Sequence, residues 1–238
     1  MMARPHIHMI TAMTTNSSLY RLLAWLSPSF PVGAFSYSHG LEYAVEIELI
    51  KNRDDLVAWC AALLRHGSGL HDAMLFVAAW RALDENDHAA LMEIFELSAA
   101  MRPTSELALE TQAQGAAFAR AIKNAWPHPA LDTALPQGYA PSYPLIVVLC
   151  AHAHGIDMRD ALAAYLYAFV ANLISAGVRL IPLGQTDGQI ALRLLETDVA
   201  ATTELAEILP LSEIGSATPM LDYCSAQHET QYTRLFRS

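Results

Sequence analysis

ALAAYLYAFVANLISAGV, Ala161 to Val178, runs eighteen residues without a charge, bounded by Asp160 and Arg179. Its reading decides the fold: a membrane span, or a helix packed inside a domain surrounded by water. The stretch is barely long enough to cross a bilayer. Asn172, Ser175 and Gly177 interrupt it, and its alanines contribute little to insertion. A core helix that is apolar all round has the same composition. The core reading is the one adopted, and no membrane partner is expected.

Working outward, helical spacing dominates and no convincing strand alternation appears. Leu145 to His154 is a second strongly apolar helix, divided from the first by Gly155. Upstream, Leu56, Val57, Cys60, Leu63 and Leu64 repeat at helical spacing, with Asp54 as the expected cap and Gly67 as the stop. Further helices are expected over 74–83, 88–100 and 105–123, the last capped by Thr104 or Ser105 with Glu106 in its first turn. Trp126 to Pro144 holds five prolines and reads as a long connection without helix. Downstream, separate helices are expected from about Asp187 to Leu195 and from Thr203 to Leu209. The expectation is therefore an all-α fold: a single globular domain of about eight to ten helices over 19–217. A flexible segment, 1–18, precedes it, and a partner-binding tail, 218–238, follows.

Charged residues make up 16% of the 238, against about 25% in ordinary soluble domains. So thin a charged surface implies apolar area covered by another chain, and a homodimer is expected. The formal net charge of −10 argues against nucleic acid, which needs a basic footprint. The three cysteines, Cys60, Cys150 and Cys224, form no CxxC pair, so neither disulfide framework nor zinc ribbon is indicated. With no apolar run of seven in the first 18 residues, no signal peptide is expected and the setting is cytoplasmic.

Catalytic motifs fail on inspection. No GxxxxGK[ST] occurs, and His228-Glu229-Thr230-Gln231-Tyr232 lacks the second histidine of HExxH. Cys150 and His154 share a helical face but are two ligands, not a site. His6 and His8 offer weak metal affinity at most. Ser36 with His39 has no assignable acid partner. Glu106 and Glu110 read as a solvated or partner-facing stripe. No enzyme, cofactor or metal centre is expected.

Three polar segments are harder to place in a core. SPSFPVGAFSYSHGLE, Ser27 to Glu42, is stiffened by prolines and rich in aromatics. LGQTDGQ, Leu183 to Gln189, presents Gln185, Thr186 and Asp187 between glycines, and is expected to serve binding more than folding. The tail HETQYTRLFRS, His228 to Ser238, sets Tyr232, Leu235 and Phe236 at i, i+3 and i+4 with Arg234 and Arg237 beside them. That stripe is expected to fold as a short helix in a partner's groove, leaving the body's stability independent of it.

Those segments carry a resemblance. Ser27–Glu42, TSELALETQAQG (Thr104 to Gly115), AYLYAFVANLISAGVRLIPLGQTDGQ (Ala164 to Gln189) and the tail are similar, in order, to signatures of the urease accessory protein UreF family. The resemblance implies an all-α, non-enzymatic, dimeric protein that helps insert nickel into apo-urease. It would bind UreD (UreH in some organisms), recruit the GTPase UreG and regulate its GTP hydrolysis. By that resemblance Ser36, Tyr37, Glu42, Arg179, Gln185, Thr186, Asp187 and Gln189 would lie at dimer or UreG-facing surfaces. His228, Glu229, Tyr232, Arg234, Leu235, Phe236 and Arg237 would dock UreD. The alternative is an all-helical interaction scaffold unrelated to urease.

Overall fold

Short polar side chains cap four of the helices that build this chain, in a computed structural model describing residues 17–134 and 142–238. Helix α1 covers 17–25, followed by a 3-10 turn at Ala34–Ser36 and α2 at Leu41–Glu46. Then come α3 (Arg53–His66), α4 (Ser68–Asp84), α5 (His88–Ala100) and α6 (Ser105–Ala125). After α7 (Pro129–Ala134), the chain forms α8 (Tyr143–Ala153), α9 (Met158–Leu180), α10 (Gln185–Ile208) and α11 (Pro219–His228). No strand occurs among the described residues. The histidines His6 and His8, and most of the segment expected to be flexible, lie outside the described residues.

The caps follow hydrogen-bond chemistry. Thr104 accepts from the Leu107 amide, Asp157 from Arg159 and Asp160, and Asp87 from Ala90. At α3 the cap is Asn52, two residues ahead of the expected Asp54, which sits instead in the first turn. The all-α expectation holds, with three local corrections. The proline-rich connection contains α7, because Pro129 occupies the first helical position, where a missing amide costs nothing. The two helices expected after Leu183 are one, α10. The polar residues read as a break face inward: Asp198 pairs with Arg65, and the Thr202 hydroxyl donates to the Leu64 carbonyl. The tail after His228 is not helical.

The core is centred on α4, α8 and α9. Every residue from Pro144 to Ala151 is buried, so α8 is enclosed on all sides, with α4 and α6 as its main neighbours. Helix α9 is long and apolar enough to cross a membrane, yet half of its apolar stretch is inside the domain. Leu162, Leu166, Val170 and Leu173 are the buried face; α10, α8 and α4 cover it. Gly177 lets α3 close on α9: a β-carbon there would lie 2.4 Å from the Leu56 side chain.

Candidate functional site

Two helices deliver carboxylates to one buried place. Glu42 is in the first turn of α2, and Glu106 and Glu110 lie one turn apart on α6. All three are less than a tenth exposed: 7%, 6% and 7%. Buried carboxylates need donors, and here the chain's own terminus supplies them. Glu42 accepts the main-chain amides of Leu235 (2.6 Å) and Phe236 (3.0 Å). Glu106 accepts from Arg234 at 3.0 Å, and Glu110 accepts the Ser238 hydroxyl at 2.7 Å.

His228 joins the two helices. Its ring is fully buried, with Nδ1 at 2.7 Å from Glu106 Oε2 and Nε2 at 2.9 Å from Glu42 Oε2. From the other side, the segment before α2 holds the tail's main chain. Ser38 donates its amide (2.7 Å) and hydroxyl (2.5 Å) to the Ser238 main-chain oxygen, and the Arg237 amide donates to the Ser36 carbonyl at 2.7 Å. The turn needs an unusual backbone: His39 and Gly40 both have positive φ, 56° and 77°. At Gly40 a β-carbon would lie 2.8 Å from the Ser225 amide nitrogen of α11. Glycine is therefore required where α11 crosses.

His39 is a pin beneath this seat. Its Nδ1 lies 3.3 Å from Glu110 Oε2 and its Nε2 2.7 Å from the Ser68 hydroxyl at the start of α4. Deeper in, Asp72 receives the Tyr165 hydroxyl at 2.7 Å and faces Arg102 at 2.9 Å. Burial pushes the Asp72 carboxyl up, but Arg102, His71 and Tyr165 together outweigh it and hold the group well below the usual carboxylate range. Burial, aided by Asp72, pushes the Tyr165 phenol well above its ordinary value, so it donates as a neutral hydroxyl. A cavity of about 160 Å³ runs from these groups to the exposed rings of Phe35 and Tyr167.

Most of the sequence-predicted site residues meet here. Ser36, Tyr37, Glu42, His228, Arg234, Phe236 and Arg237 converge, Arg179 of α9 stacks on the Phe236 ring, and Arg237 lies over Tyr37 at 5.9 Å. Glu229 accepts the Ser105 hydroxyl at the rim. The expected apolar stripe is divided, because the tail runs through turns and bends rather than a helix. Phe236 points inward, whereas Tyr232 and Leu235 are 103% and 65% exposed. The tail thus belongs to the body, a correction to the independence expected of it. Glu106 and Glu110 likewise correct the solvated-stripe reading.

The second segment lies apart. Gln185, Thr186 and Gln189 are exposed on the first turns of α10. Asp187 accepts the Gly184 amide at 3.3 Å and pairs with Arg53 at 3.3 Å, so part of its role is to start the helix. Cys150 is enclosed, its thiol pushed by burial to about 12, and His154 faces the Trp126 carbonyl. Among the described residues no group of three metal-ligating side chains could hold an ion. Sequence reasoning missed His39, Glu106, Glu110 and Ser238 as parts of one seat. The available signal was Glu106, Glu110 and Gln114 at helical spacing beside the apolar Leu107, Phe118 and Ile122.

Among the described residues, the fold and the seat define an all-helical protein whose convergent polar groups hold its own C-terminal segment. The chain belongs to the UreF family of urease accessory proteins: the UreF family model matches residues 50–196. It is 48% identical to urease accessory protein UreF of Bradyrhizobium sp. strain BTAi1 over 99% of this chain and 98% of that protein. It is 49% identical to UreF of Granulibacter bethesdensis over 96% and 97%, and 48% identical to UreF of Rhodopseudomonas palustris strain BisB5 over 94% and 92%.

Proposed function

We propose that this chain is a non-catalytic, cytoplasmic adaptor that brings UreD (UreH) and the nickel-carrying GTPase UreG together at apo-urease and regulates GTP hydrolysis, nickel being the cargo. The observation that carries this reading is the division of the tail. Phe236 and Ser238 are buried against Glu42, Ser38 and Glu110, while Tyr232 and Leu235 face outward from a backbone fixed by those contacts. Such an arrangement presents two apolar side chains already ordered, which lowers the entropy cost of binding. Exposed Leu19, Tyr20 and Leu23 of α1, with Phe35 and Tyr167, favour a homodimer on a separate face.

The test is capture of UreD by the full chain. Replacing Tyr232 and Leu235 together with alanine should abolish capture and urease activation without lowering the melting temperature, since neither side chain supports the body. Thr233→Ala should be silent. Wild-type capture by the double variant would overturn the assignment of UreD to the tail.

A further inference from the structure

We infer that the groove between α6, α7 and α8 is a docking site for an acidic, apolar-anchored peptide segment of a partner protein. The inference goes beyond the adaptor reading and holds whichever partner the tail meets. The groove has a volume of about 640 Å³, room for several side chains. Ile122 of α6, Leu131 of α7, and Ile146 and Cys150 of α8 contribute its apolar lining. Arg120 and Lys123, one turn apart on α6, supply its cations, and Asp132 of α7 is the one carboxylate that lines it.

Arg120 and Lys123 are exposed and have no ion-pair or hydrogen-bond partner among the described residues. That is unusual in a chain with 14 lysines and arginines against 24 acids. Apart from Arg193, every other described lysine or arginine is engaged. Lys51, Arg53, Arg65, Arg102, Arg159 and Arg234 pair with carboxylates. Arg21 and Arg81 donate to carbonyls, and Arg179 and Arg237 lie over rings. Lys123 suits the last turn of α6, where the helix dipole favours a cation. Arg120 stands a turn earlier, so the dipole does not account for the pair.

Charge decides the occupant. Locally the groove attracts an anion, whereas the chain as a whole carries −10 and repels extended polyanions such as nucleic acid or an anionic membrane. At physiological salt that wider field is screened beyond about 8 Å. A short acidic segment seated in the groove therefore feels mainly Arg120 and Lys123. The apolar lining adds a demand for a side chain such as leucine or phenylalanine beside the acids. Lys123 lies about 20 Å from Glu110 along one helix, so the groove and the tail seat can be filled at once.

The test is an array of hexapeptides composed of Glu, Leu, Phe and Gly, probed with the full chain. The best binder is then measured in solution by fluorescence anisotropy. Saturable binding is expected, although chain and peptide are both acidic. Arg120→Glu with Lys123→Glu should weaken it about tenfold or more, and Arg120→Gln with Lys123→Gln should give a smaller loss. Arg193→Glu should leave it unchanged. Replacing the peptide's leucines and phenylalanines with glycine should also weaken binding about tenfold or more. An array without binders, or a best peptide indifferent to the double substitutions, would overturn the inference. Displacement by millimolar inorganic phosphate would reduce the groove to a simple anion site and overturn the peptide reading. A change of oligomeric state in the double variant, read by light scattering, would assign the groove to a second copy instead.

Discussion

The guanidinium carbon of Arg179 lies 4.4 Å from the centre of the Phe236 ring, placing the end of α9 over the tail. Phe236 is 4% exposed, so truncating it removes a core contact as well as a cation–π partner. Phe236→Ala should destabilise the chain by about 3 kcal/mol, and Arg179→Ala by about 1 kcal/mol or less. Denaturant unfolding of both singles and the double should give a coupling of about 0.5–1 kcal/mol. Strict additivity would show that the stacked geometry contributes nothing. Deleting His228 to Ser238 should also lower the melting temperature, because it strips the donors from Glu42 and Glu106.

Asp72 gives a prediction in pH. Its carboxyl is held below the usual range, burial notwithstanding, by Arg102, His71 and Tyr165. A depressed acid contributes stability that is complete above its unfolded value, about 3.9, and lost as the pH falls through its folded value. The stability gap between the unsubstituted chain and Asp72→Asn should thus be constant from neutral pH down to about 5 and close only below about 4. Urea unfolding across that range reads it directly. A gap that closes above pH 5 would mean that Arg102 does not hold the carboxylate. Asp72→Ala should cost about 3–5 kcal/mol, since it leaves a buried guanidinium unpaired.

The third prediction concerns the crossing of α3 and α9. Alanine is the better helix former by about 1 kcal/mol, yet Gly177→Ala should destabilise. Its β-carbon would meet the Leu56 side chain at 2.4 Å, and Leu56, 0% exposed, has no free space to move into. Overpacking of this kind costs about 1–3 kcal/mol. Leu56→Val in the same chain should recover part of the loss. A Gly177→Ala variant more stable than its parent would show that the two helices slide apart at no cost.

Much of the fold was legible because apolar spacing is a local signal. Leu56, Cys60, Leu63 and Leu64 announced α3, Thr104 announced α6, and the uncharged run from Ala161 announced α9. Errors arose where a polar residue's partner is remote in sequence. Asp198 and Thr202 looked like a break because Arg65 and Leu64, more than 130 positions away, are invisible to local pattern. The same holds for the seat. Glu106 and Glu110 looked solvent-facing because most of their partners, His39, His228, Arg234 and Ser238, are remote in sequence, and a tail with helical apolar spacing is not helical because Glu42 takes two of its consecutive amides.

The hydrogen bond from the Phe236 amide to Glu42 spans 194 positions. During synthesis, Glu42 and Glu106 are made long before the residues that satisfy them. Until those residues arrive, three carboxylates retain their water and the ground between α2 and α6 stays open. Non-local closures of this length come late in folding. The Ser36–Glu42 segment is therefore among the last parts of the molecule to gain its partners, because Ser36, Ser38 and Glu42 are all engaged by residues 235–238.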